Sequence, residues 1–275
     1  MHVEDCCLAL LDYILPEIDP DQNGYCLDVG VGTFAFYCER TAKLGFPTIA
    51  VEPLPVAKLR RLCDRHSIQL IEACLSDHNG TQTFYMGKFA RFSNSNFNSL
   101  KPNWFGSSSQ TKQVKTFDLA ELLRITNVEK ITCLKLDVEG WEPVAIKQLI
   151  DLPPSQLPLL TMFEYGGGGL RHRGNGGWSS QFLDGTLTCL QTLKQCGYGF
   201  SVVIDYAHEA EAKFFDLRSH SLDPDEIFLP NAIYGNIISF RDSDYPPATI
   251  TQISQHYEGG VADWFVKQVI NWLVQ

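Results

Sequence analysis

The chain has 275 residues, 44% of them hydrophobic, which is enough apolar material for one substantial core. With 32 acidic against 22 basic side chains and a formal net charge of −10, its overall charge does not suit a nucleic-acid backbone. No apolar run approaches the ~20 residues that a membrane span requires, and the acidic start Met1-His2-Val3-Glu4-Asp5 is unlike a secretory leader.

In chain order, Val3, Cys7, Leu8, Leu11 and Leu15 recur at helical spacing, and the expected helix covers residues 3–15 and stops at Pro16. Short apolar runs then alternate with amphipathic segments. Residues 25–28 read as a buried strand, 34–44 as a helix closed by Gly45, 48–51 as a second strand, and 56–63 as a second helix. Residues 69–73 read as a third strand and 80–86 as a short extra one, while the Ser- and Asn-rich stretch 93–110 reads as a loop. A helix over 117–125, a strand over 131–136, a helix over 144–150 and a strand over 159–163 follow. Seven glycines between 166 and 177 predict an exposed, mobile loop, and Asp184 is placed to cap a helix that stops at Gly197. Strands at 202–204 and 236–240 and a helix over 261–274, with Trp264, Phe265 and Trp272, complete the chain.

Strand alternating with helix at this pace predicts an α/β fold, with about seven core strands, mostly parallel, in a single domain over 1–275. The nine cysteines are odd in number and form no C-x-x-C pair. Cys26, Cys63, Cys74, Cys133 and Cys189 lie in apolar segments, as small buried hydrophobes do, and a reducing cytoplasm is the expected location.

The first strand runs into Asp28-Val29-Gly30-Val31-Gly32. Gly30 permits a sharp turn and Gly32 a close ligand approach, while Glu52 ends the second strand at the distance where a carboxylate meets ribose hydroxyls. This pattern fits a nicotinamide enzyme as well as an S-adenosylmethionine enzyme. Asp28 favours the second, because a carboxylate before the turn repels a pyrophosphate and attracts an ammonium or a sulfonium. At the third strand end, Leu75 is placed to cover an adenine ring, with Ser76 or Asp77 at its polar edge.

The run Leu134-Lys135-Leu136-Asp137-Val138-Glu139-Gly140-Trp141-Glu142 ends a buried strand in carboxylates, where open α/β sheets place ligands. Together with Asp28-Val29-Gly30, Glu52-Pro53, Ala73-Cys74-Leu75-Ser76-Asp77, residues 114–119 and Phe163-Glu164, it resembles the FkbM-type methyltransferases over about residues 24–205. The helices over 3–15 and 261–274 stand as additions to that region. The resemblance implies a Rossmann-like class I fold with helices on both faces of a seven-stranded sheet, S-adenosylmethionine as donor, and a hydroxyl of a sugar or secondary metabolite as acceptor. It also implies that Asp28, Gly30 and Glu52 hold the donor, that Ser76 lies near the adenine, and that Asp137 faces the reaction centre. Gly32 and Phe34 depart from the family's usual Asn and Gly.

Asp137, Glu139 and Glu164 are expected to converge at the strand ends, one of them as the base. Holding a hard divalent cation is their alternative role, and not the expected one. His172, in the glycine-rich stretch, is a further base candidate, and His208 is a weaker one. Residues 94–104 and 166–178 are expected as acceptor-binding lids, with Phe97, Trp104 and Trp178 to stack on a sugar face. Rival readings are an NAD-dependent oxidoreductase and a donor-binding module without catalysis. No nucleic-acid or membrane partner is expected, and the residues leave the oligomeric state open.

Overall fold

The computed structural model describes residues 3–89, 92–93, 97–206, 212–219, 221–242 and 244–257. The expected helix over 261–274, His208 and the residues 94–96 lie outside this range. The chain forms two compact units, one of residues 15–161 and one of residues 1–14 with 162–275. Helix α1 (Val3–Ile18) runs past Pro16, where a helix end was expected. Pro16 falls in the last turn and cannot donate a bond four residues back, and the helix continues only two residues beyond it.

In the unit of residues 15–161, strands β1 (Tyr25–Val29), β2 (Thr48–Val51) and β3 (Gln69–Ile71) alternate with helices α2 (Phe36–Lys43) and α3 (Ala57–His66). Parallel strands buried on both faces read as continuous apolar runs, and every residue of β2 is buried. Val31, Ala35, Cys38, Ala50, Leu59, Leu62, Cys63 and Ile68 close one core beside them.

β3 ends two residues earlier than expected, and Cys74–Leu75 forms a separate strand, β4. It belongs to a second, four-stranded sheet with β5 (Gly80–Phe89), β6 (Phe92–Ser93) and β7 (Ser107–Phe117), in the order β4-β7-β5-β6. β7 occupies the end of the expected loop and the start of the expected helix. Helix α4 (Leu119–Thr126) begins after it, with the Asp118 side chain accepting a hydrogen bond from the Glu121 N–H at 2.7 Å. Strand β8 (Ile131–Leu136) is buried throughout and leads to helix α5 (Glu142–Lys147). The main strands of this unit lie in the order β8-β1-β2-β3, all parallel.

Strand β9 (Leu160–Gly166) carries the chain into the other unit, which holds helix α6 (Ser180–Gln195), strands β10 (Phe200–Asp205) and β11 (Lys213–Asp216), helix α7 (Pro224–Ile227), strand β12 (Tyr234–Phe240) and helix α8 (Pro247–Gln255). Its strands lie in the order β11-β10-β12-β9, and β10 is antiparallel to both neighbours. The α/β class holds, but among the described residues the main strands number eight, not seven, and their pairing is mixed. β11 went unforeseen. α6 starts after Ser179, so Asp184 lies within the helix and does not cap it.

The glycine run is exposed only over residues 172–175 and is not the open loop expected throughout. It forms two 3-10 turns, Arg171–Arg173 and Gly176–Trp178, and its backbone bonds to Ala232 and Ile233. Trp178 is 3% exposed, donates to the Ile233 carbonyl at 2.7 Å and packs edge-on against Tyr165 and Phe228. It therefore presents no face on which a sugar can stack. All nine cysteines are thiols outside any disulfide, and eight are buried. Among the described residues no helix is long and apolar enough to cross a membrane.

Candidate active site

The turn after β1 is built around Gly30. Its φ of +81° lies in the left-handed region, and a Cβ there would stand 1.8 Å from the Asp137 carbonyl oxygen. Only glycine lets the β1 and β8 turns approach this closely. The Gly32 N–H donates to Glu52 Oε2 at 3.1 Å, and the Leu54 N–H donates to Oε1 at 3.0 Å. The end of β2 thus aims Glu52 back at the β1 turn. Burial pushes the Glu52 carboxyl up, the two N–H donors oppose that, and the charges of Asp137 and Asp28 add to it.

Asp28 is buried on β1 with its two oxygens in different surroundings. Oδ2 accepts from the Cys38 N–H in the first turn of α2 at 2.9 Å. Oδ1 has no hydrogen-bond partner among the described residues and lies 3.8 Å from Lys135 Nζ. Burial pushes this carboxyl up, opposed by the Lys135 charge and the Cys38 N–H.

The turn after β8 gathers the other acids. Asp137 Oδ2 accepts from Lys135 Nζ at 3.0 Å, and about a third of the Asp137 side chain is open to solvent. Glu139 has a φ of +53°, a left-handed backbone that is rare for a residue with a Cβ. Its backbone oxygen accepts from Ser99 Oγ at 2.7 Å, and its Oε2 accepts from Trp104 Nε1 at 2.7 Å. The Trp104 ring covers Gly140, where a Cβ would come within 2.5 Å of it. Burial pushes the Glu139 carboxyl well above its ordinary range, with Asp137 and Glu142 adding to the effect. Glu142 reaches back to accept from the Val138 N–H at 2.9 Å, and burial pushes its carboxyl up to about 7.

Asp28, Gly30, Gly32, Glu52, Asp137 and Glu139 are therefore positioned by three strand ends of one unit. Leu75 ends β4 in the second sheet of that unit, Ser76 follows it, and both are fully covered: Ser76 Oγ bonds to Asp77 and Gln82, and its carbonyl accepts from Gln148. Glu164, half-buried on β9, and His172, exposed in a 3-10 turn, belong to the other unit. Phe97 lies edge-on to Phe105, itself 36% exposed.

Sequence reasoning quoted Lys135 in the run 134–142 without giving it a role, and missed Ser99 and the hold of Trp104 on Glu139. A lysine inside an otherwise apolar strand was the available signal for the first. Nothing in the sequence pointed to the other two.

A family model described as "Methyltransferase FkbM domain" matches residues 28–200, well over half of the chain. No match was found among curated proteins.

Proposed function

The chain belongs to the FkbM methyltransferase family, and from that premise we propose that it takes a methyl group from S-adenosylmethionine and places it on a hydroxyl of a sugar or secondary metabolite. The pair of carboxylates around the β1 turn carries the reading. Glu52 is oriented by two backbone N–H groups and keeps lone pairs for ribose hydroxyls, while Asp28 Oδ1 is buried with unused capacity to accept. Both oxygens suit a ligand that brings hydroxyls, an ammonium and a sulfonium. A pyrophosphate laid over the same turn would face Asp28 and Asp137, two acids that share the single ammonium of Lys135, and this disfavours a dinucleotide.

Once bound, the donor supplies a methyl carbon already activated by its positive sulfur. What the chain has to add is alignment and removal of the hydroxyl proton. Asp137, partly open at the end of β8, orients the acceptor. Glu139 takes the proton, and burial pushes its carboxyl above the ordinary carboxylate range. Trp104 holds that carboxylate in one orientation.

Calorimetric titration of the protein with S-adenosylhomocysteine and with NAD tests the donor. The sulfur nucleoside binds, NAD does not, and Asp28→Ala weakens the first by about tenfold or more, the scale of losing a charged hydrogen bond. Binding of NAD alone would sink the proposal. A screen of hydroxyl acceptors with wild type and Glu139→Gln then tests the chemistry and separates an enzyme from a binding module.

A further inference from the structure

We propose that Lys135 is a positioning residue for donor binding: its ammonium, buried between Asp28 and Asp137, fixes how Asp28 presents its open oxygen. The inference rests on the donor reading above. A lysine at 4% exposure inside a fully buried strand is costly unless it is paired. β8 and β1 are in register with Lys135 beside Asp28, so both side chains leave the sheet on the same face.

The two acids are not held alike. Lys135 Nζ makes a hydrogen bond to Asp137 Oδ2 at 3.0 Å, whereas Asp28 Oδ1 lies at 3.8 Å, close enough to feel the charge and too far to be hydrogen-bonded. From α2, the Tyr37 ring lies 4.9 Å from the ammonium, and the Cys38 N–H takes the other Asp28 oxygen. Asp28 is thus pinned on one side and neutralised on the other, with one oxygen left over. An ion pair that served the fold alone would close on both acids. The open oxygen needs an N–H or O–H that the described residues do not provide, and the ammonium and hydroxyls of the donor are groups of that kind.

A double-mutant cycle read by calorimetry with S-adenosylhomocysteine on the full chain tests this. Asp28→Asn keeps an accepting oxygen and drops the charge, so its affinity stays measurable. In the wild-type background Lys135→Met weakens binding by about tenfold or more, and in the Asp28→Asn background by about threefold or less, because the two side chains act through one contact. If Lys135→Met does not fold, Lys135→Gln takes its place. Equal losses in both backgrounds, no loss in the first, or a double variant that does not bind at all would overturn the inference. Failure of the wild-type protein to bind would instead overturn the donor reading on which it rests.

Discussion

The turn that leaves β8 and the glycine run that leaves β9 both follow a strand's carboxyl end, and they are stabilised by opposite means. Residues 137–142 bury charge: Glu139 and Glu142 lie among N–H donors and an indole, and Asp137 meets an ammonium. Residues 166–178 bury an aromatic ring and bond backbone to backbone. In the first, polar groups are kept where desolvation is costly, the signature of chemistry. In the second, glycines let the chain fold back closely upon itself. A glycine-rich composition therefore says less about mobility than about how near two backbones approach.

The comparison can be broken most severely at Gly30. Gly30→Ala drives a Cβ into the Asp137 carbonyl at a left-handed φ, and a loss of more than about 4 kcal/mol is expected in chemical denaturation. A variant that unfolds at the wild-type midpoint would show that the β1 and β8 turns are not locked together. In the glycine run, Trp178→Ala should cost about 3–4 kcal/mol, as removing a large buried ring does. By contrast His172→Ala, at an exposed position, should stay within about 0.5 kcal/mol. Equal, small losses for both would restore the picture of a mobile lid.

Glu142 sharpens the charged side of the comparison. Its folded-state value of about 7 lies above the ordinary 4.5, so the fold favours the protonated form. That contribution is fully present below pH 4.5 and is lost as the pH rises to about 7. Wild type should lose roughly 2–3 kcal/mol across this window relative to Glu142→Gln. Parallel stability curves for the two would show that Glu142 does not titrate there.

How much could be read in advance depended on what each segment buries. β1, β2 and β8 were legible because strands covered on both sides leave continuous apolar runs. β7 was not: Ser107 to Gln113 are half-exposed or exposed, so no alternation marked them, and their pairing with β5 is what orders them. Asp28, Glu52 and Asp137 stood out as acids at the ends of apolar strands, and the structure places them at three strand ends of one unit. The Trp104–Glu139 bond joins residues 35 apart, and the left-handed backbone of Glu139 has no signature in residue type. Trp178 was misread because flanking glycines suggested exposure, while its partners Tyr165 and Phe228 are distant in sequence.

The backbone of Glu139 bears on any attempt to make this protein hardier. Glycine at that position would relax the left-handed conformation by about 1 kcal/mol and raise heat tolerance, yet it would remove the carboxylate that Trp104 holds. Variants ranked by melting temperature alone would then drift toward well-folded proteins that lack the proposed base, and engineering of this chain calls for selection on turnover alongside robustness.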